Sequence, residues 1–191
     1  MKKYLFFVIV FMIGCSSGSH ESQRYLLLAP LTKSIVSQDA PHIIVAPVKL
    51  AKYLEQSGLV YRTSPMQVEL AKYNLWAQDI SAQLTQRLIL GLRAKQADYW
   101  PVQLSSIVDL NSQPLLEVQL QKFNGSYEGN AEVAGEWIMV DKQREISMIH
   151  SFNLSVPLKE EGYPALVDAL SKGVEQLTDE IAKELLLVTA Q

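Results

Sequence analysis

LEVQLQKFNGSYEGNAEVAGEWIMV, residues 116–140, is the stretch on which the reading of the fold turns. Leu116, Val118 and Leu120 alternate with Glu117, Gln119 and Gln121, and further on Val133, Gly135, Trp137 and Met139 alternate with Ala134, Glu136, Ile138 and Val140. Successive side chains of a strand point to opposite faces, so a period of two predicts two strands here. A third follows, with Ile146, Met148, Phe152, Leu154 and Val156 on one parity. Three such strands form an antiparallel meander with one buried face. Glu128-Gly129-Asn130 and Asp141 to Arg144 supply the turns. Asn124-Gly125 is also a turn-forming pair, but turning there would strand Tyr127 and Glu128-Gly129. It is read as a bulge or kink inside the first strand.

Beyond the meander the period lengthens. Gly162-Tyr163-Pro164 opens a helix in which Leu166, Leu170, Val174, Leu177, Ile181, Leu185 and Val188 form one stripe. Asp168, Lys172, Glu175, Asp179 and Lys183 lie largely off it. A single stripe of this length packs on a sheet, with a membrane or coiled-coil role as the alternative. Upstream, Ile80, Leu84, Leu88 and Leu92 recur every fourth residue in a helix read from Asn74, its N-cap. Asp79 then lies near the positive end of the helix dipole, and Trp76 packs from the first turn onto the sheet. Tyr25 to Leu28, HIIVAPVKL (42–50), LVYRTS (59–64) and MQVEL (66–70) are extended segments, the last two around Ser64-Pro65. The expected fold is therefore α+β: a two-layer domain with a largely antiparallel sheet and two amphipathic helices on one face.

The N-terminus has Lys2 and Lys3, an apolar run from Tyr4 to Ile13, and the small residue Gly14. This is the pattern of a secretory signal peptide over 1–14. The run falls well short of the roughly 20 residues that span a bilayer. Cys15, the sole cysteine, follows at once. Met12-Ile13-Gly14-Cys15 is similar to the bacterial lipobox, with Met12 where leucine is usual, and this implies a covalent diacylglycerol and an N-acyl chain on Cys15. The competing reading is a buried thiol packed as a small hydrophobe. Ser16-Ser17 replace the aspartate that resembles an inner-membrane retention signal, so the expected site is the outer membrane, facing the periplasm. Residues 15–24 are the lipidated Cys15 and a flexible tether, whose nine residues 16–24 reach roughly 30 Å when extended, and 25–191 form a single periplasmic domain. The formal charge of −3 becomes more negative when Lys2 and Lys3 leave with the signal peptide. Such a domain has no electrostatic reason to hold nucleic acid.

The histidines His20, His42 and His150 are far apart, without metal-ligand spacing. His150 reads as a sheet residue. Glu160-Glu161 are adjacent in a loop and read as solvated rather than as a glycosidase pair. No nucleophile elbow or phosphate-cradling glycine loop is present. No catalytic residue, metal ligand or cofactor is assigned, and the expectation is a protein that is not an enzyme. Tyr53, Tyr61, Tyr73 and Tyr127 fall in loops or at strand ends, where tyrosines either contact partners or cap the core; both readings stay open. Tyr127, beside Gly129, is the preferred contact, followed by Tyr61 and Tyr53.

Leu59-Val60-Tyr61 with Thr63-Ser64, Asn74-Leu75-Trp76-Ala77, Phe123-Asn124-Gly125 with Tyr127 and Gly129, Gly135-Glu136-Trp137, and Gly162-Tyr163 occur together over most of the chain. In this combination the sequence resembles the paraquat-inducible protein C (PqiC) family of auxiliary lipoproteins for intermembrane transport. Leu31 to Ala40 carries no family pattern. The resemblance implies a lipoprotein that docks, at the outer membrane, a periplasmic tube of MCE (mammalian cell entry) domains of the PqiB type. An inner-membrane protein of the PqiA type would be an indirect partner, and lipids or other hydrophobic molecules the cargo. A tether of roughly 30 Å does not cross the periplasm, so the partner must come to it. A homo-oligomeric ring would suit the end of a tube. The alternatives are a scaffold lipoprotein of another envelope complex and a periplasmic hydrolase. Replacing Cys15→Ala is expected to release the protein from washed membranes; a wild-type protein that stays bound without acyl label would defeat the lipoprotein reading.

Overall fold

In chain order the elements are β1 (Gln23–Tyr25), β2 (His42–Val45), β3 (Lys49–Leu50), a 3-10 turn (Lys52–Leu54), β4 (Gly58–Ser64), β5 (Gln67–Trp76), α1 (Ile80–Lys95), β6 (Trp100–Gln103), β7 (Leu115–Ser126), β8 (Asn130–Val140), β9 (Ile146–Pro157) and α2 (Tyr163–Thr189). They come from a computed structural model that describes residues 21–28, 33–105 and 113–189, with side chains up to Leu186. Cys15, His20 and the expected signal peptide lie outside the described residues, as do parts of the expected tether and of the 31–40 region.

The meander forms where the alternation predicts it. β8 pairs antiparallel with β7 from Leu115↔Val140 to Ser126↔Asn130, and with β9 from Asn130↔Pro157 to Val140↔Ile146. The other edge of β7 is shared. β2 meets it at Ile44↔Leu115, β3 at Lys49↔Gln119 and β4 at Tyr61↔Gly125, all parallel. β6 extends the sheet beyond β2, β5 pairs antiparallel with β4, and β1 pairs parallel with β5. The longest ladders are antiparallel, as expected, and the parallel joins make the sheet mixed.

Several boundaries differ from expectation. The first strand begins at Gln23, inside the expected tether, and ends at Tyr25 rather than Leu28. HIIVAPVKL forms two strands because its central Pro47 has no N–H to give to a ladder. MQVEL extends through Asn74 to Trp76, so neither residue is helical. The helix starts at Ile80, and Asp79, not Asn74, is its N-cap, accepting from the Ala82 N–H at 2.8 Å. Trp76 is nevertheless buried, stacked 6.0 Å from Phe123. Residues 100–103 form a strand that had no clear alternation to announce it. The bulge lies at Gln121, between Leu120 and Lys122, while the register runs unbroken through Asn124↔Glu132 and Gly125↔Ala131.

Gly125 has a different use. A Cβ there would lie 2.4 Å from Tyr61 Cδ2 and 3.1 Å from Leu166 Cδ1, so the missing side chain lets the Tyr61 ring lie on β7 beneath α2. The helices cover this face. Leu166, Leu170, Val174, Leu177, Ile181 and Leu185 of α2 are buried together with Val133, Trp137, Phe152 and Val156 of the sheet. Buried polar groups on the helices secure incoming backbone: Gln83 Oε1 accepts from the Leu27 N–H, Thr85 Oγ1 from Val48 and Ser171 Oγ from Leu28. Each joins a segment without a long ladder of its own to the core, and a buried N–H left unpaired would be destabilising.

Gly125→Ala forces overlap between Tyr61, Leu166 and the sheet, and is expected to cost about 1–3 kcal/mol in urea unfolding. Most of that loss should disappear in a Tyr61→Ala background; an undiminished loss would mean the contact with Tyr61 is not its source.

Candidate docking cleft

β7 ends at its pairing Arg62↔Ser126 with β4, and the turn to β8, the loop after β9 and the first turn of α2 gather around this end. The backbone of this end is held by short hydrogen-bonded turns. Gly129, with φ of 82°, donates from N–H to the Ser126 carbonyl at 2.9 Å, and its own carbonyl accepts from Leu158 at 3.0 Å. Gly162, with φ of 102°, turns the chain into α2, and its carbonyl accepts from Leu166 at 3.1 Å. Positive φ is strained for residues with a Cβ, which accounts for glycine at both places.

An open cleft of about 640 Å³ lies between these segments. Tyr61, Tyr127, Tyr163, Leu158 and Leu166 give it an apolar and aromatic lining, and Lys159, Glu160 and Glu161 add charge. The Tyr61 hydroxyl donates to the Ser126 carbonyl at 2.9 Å, fixing the ring. Tyr127 is held from the backbone, its N–H donating to the Arg62 carbonyl at 2.9 Å, while the residue is 45% exposed. A tyrosine with a fixed backbone and an open ring gives contact area at little entropic cost.

Beneath this turn, on the sheet face away from the helices, is a charged cluster. Arg62 donates through Nε and Nη2 to the two carboxylate oxygens of Glu132, at 2.8 and 2.7 Å. Asn124 Nδ2 donates to the same carboxylate at 2.9 Å, and Lys122 lies 3.3 Å from it. Arg62 Nη2 also donates to Ser126 Oγ at 3.0 Å, and the guanidinium sits 5.0 Å from the centre of the Tyr127 ring. A bidentate pair with further donors fixes orientation as well as adding energy. Burial pushes the Glu132 carboxyl up, but the hydrogen bonds from Arg62, Asn124 and Lys122 outweigh it and hold the group below its ordinary range. The cluster ties β4, β7 and β8 together directly under Tyr127.

Of the tyrosines singled out from sequence, Tyr61 and Tyr127 meet at this cleft and Tyr53 does not. Tyr53 follows β3, is partly buried, and donates its hydroxyl to the Gln121 carbonyl at 2.7 Å, at the bulge of β7. Tyr73 lies in β5, with Lys72 Nζ 5.1 Å from its ring centre. His42 opens β2. His150 stacks on Trp137 at 4.7 Å, with Nε2 4.0 Å from Glu184 of α2, and so takes part in sheet–helix packing. Among the described residues no three His, Cys, Asp or Glu side chains come together as a metal site. Sequence reasoning missed Tyr163 as a lining residue, although Gly162-Tyr163 was visible as a helix entrance. It also missed the Arg62–Glu132 pair, whose partners are 70 residues apart with no spacing to connect them.

Comparison with known proteins bears on this geometry. Residues 25–182 match the family model described as the ABC-type transport auxiliary lipoprotein component. The chain is 31% identical over 188 residues to the intermembrane transport lipoprotein PqiC of Escherichia coli (strain K12), covering 97% of this chain and 98% of that protein. The Shigella flexneri protein of the same name gives the same figures. A crystal structure of an uncharacterized protein superposes with a TM-score of 0.72 at 26% identity, covering 86% of this chain and 99% of the other. One from Xanthomonas campestris has a TM-score of 0.66 at 15% identity over 83% and 92% of the two chains, a likeness of fold.

A carboxyl whose folded pKa is depressed contributes stability that is complete above its unfolded value, near 4.5, and is lost as pH falls through the lower folded value. Glu132→Gln is therefore expected to lower the thermal midpoint at neutral pH and to flatten its decline on acidification. Parallel curves for the variant and the wild type would show that Glu132 does not contribute through its charge.

Proposed function

The chain belongs to the ABC-type transport auxiliary lipoprotein family, and from that premise we propose that it is a non-catalytic lipoprotein that docks a periplasmic tube of MCE domains at the outer membrane. Cys15 carries the diacylglycerol and the N-acyl chain, whose combined anchoring is stable where a single chain would be reversible. The MCE-domain partner, of the PqiB type, comes to the tethered domain, and an inner-membrane PqiA-type protein is linked through it. The names of the curated relatives support a role in transport between membranes.

The observation that carries the docking role is the cleft around Tyr61, Tyr127 and Tyr163. Its two apolar residues and three aromatic rings suit an apolar side chain, and Glu160 and Glu161 favour a partner segment with a basic residue beside that anchor. Aromatic anchors in a concave site concentrate binding energy, while the charges around them select partners and speed encounter. A homo-oligomeric ring would repeat the cleft around the end of a tube.

Crosslinking in cells, followed by mass spectrometry, tests this reading. The wild-type lipoprotein should trap an MCE-domain protein, and Tyr127→Glu should lose that product with an unchanged circular dichroism spectrum. Recovery of other envelope machinery, or full capture by the folded variant, would overturn the assignment of partner or surface respectively. A ring also predicts products between copies, and their absence would remove the ring while leaving the docking surface in place.

A further inference from the structure

We propose that the tip of the β4–β5 hairpin is the surface through which this domain touches the lipid bilayer, with Met66 entering the interfacial layer and Val68 and Leu70 beside it. β4 last pairs with β7 at Arg62↔Ser126, the end of β7, yet continues to Ser64, so the hairpin projects past the edge of the central sheet. Met66 at the turn is 95% exposed, and Val68 and Leu70 are 45% and 51% exposed. Val68 and Leu70, two residues apart on one strand, share a face. The tip from Thr63 to Val68 carries no ionisable side chain, so its entry into the interface brings no charge to desolvate.

The chain leading to the anchor ends at the same place. β1 runs parallel to β5 with Gln23 opposite Asn74, so the residues before Gln23 leave in the direction of the hairpin tip. From Cys15 to Gln23 the chain reaches roughly 26–29 Å when extended. From Asn74 back to Met66 the hairpin covers about 27 Å. The acyl chains on Cys15 can thus sit in a bilayer that the tip touches, on the side toward which the chain leaves β1. This step rests on the anchoring at Cys15 proposed above. Met66 on the turn and Val68 and Leu70 on the strand behind it are also too few side chains for a stable contact with a second copy, which needs about 800 Å² from each partner. The tyrosine cleft opens at this same end, so a partner seated in it would stand next to the lipid surface, where a hydrophobic cargo must cross.

The test uses the full-length lipoprotein in vesicles of phosphatidylethanolamine and phosphatidylglycerol. With Cys15 acylated, Met66→Cys provides a unique thiol for a fluorophore, and Gln143→Cys, in the turn between β8 and β9, provides a control at the far end. Lipid-borne bromine is expected to quench the label at position 66 several-fold more than the one at 143. Adding Val68→Asp and Leu70→Asp should reduce that difference while flotation with vesicles persists. Acylated protein that floats with equal quenching at both positions would overturn the hairpin contact and leave the anchor intact. Failure to float, with no acyl mass on Cys15, would overturn both. Self-quenching at position 66 without vesicles would assign the tip to a second copy instead and overturn the proposal.

Discussion

β7 has two edges that do different work, and the rest of the molecule follows from that asymmetry. One edge is occupied for its whole length by β8, which with β9 makes a continuous antiparallel plate for α2. The other is divided among β2, β3 and β4, short strands that succeed one another along it in parallel. The bulge at Gln121 lies between the β3 and β4 contacts, where its carbonyl accepts from Tyr53. A bulge adds local twist and redirects a strand, which suits a place where one neighbour gives way to the next.

Past the bulge, both faces of β7 are covered. Phe123 and Gly125 meet the helix side, while Asn124 and Ser126 are buried on the other face with Glu132. Burying those polar groups is tolerable because each has a partner in the cluster around Arg62. The cluster holds β4 against β7 and β8 where the strands end, so the loops of the cleft emerge from a fixed base. Pre-organisation of this kind lowers the entropy lost on binding. Tyr127 and Tyr61 lean on that base from opposite sides of the sheet edge.

The proposed anchor, cleft and hairpin tip form a consistent arrangement. A domain tied by its N-terminus alone would sample many orientations on a membrane. A second weak contact by an apolar turn would restrict them without strong binding of its own, because the proposed lipid tether would already supply a high effective concentration. The cleft would then face the bilayer surface with a defined tilt.

The sequence by itself determined the elements with strong periodicity. The three long strands, their turns at Gly129 and Asp141–Arg144, and the stripe of α2 were legible because period-two and near-3.6 patterns report which residues must leave water. The family resemblance was also legible, carried by glycines and aromatics in combination. Tertiary structure alone decided the rest. Asn74 and Trp76 became strand because pairing with Gln23 and Tyr25 outweighed a local helix signal. β2, β3 and β6 are too short to show a period, and their places depend on which part of the β7 or β2 edge is free. Tyr61, Tyr127 and Tyr163 share a cleft, and Tyr53 does not, because sheet register and the entrance to α2 bring distant residues together. Arg62 and Glu132 pair for the same reason: cross-strand contact is set by the order of strands in space, which no local spacing in the chain encodes.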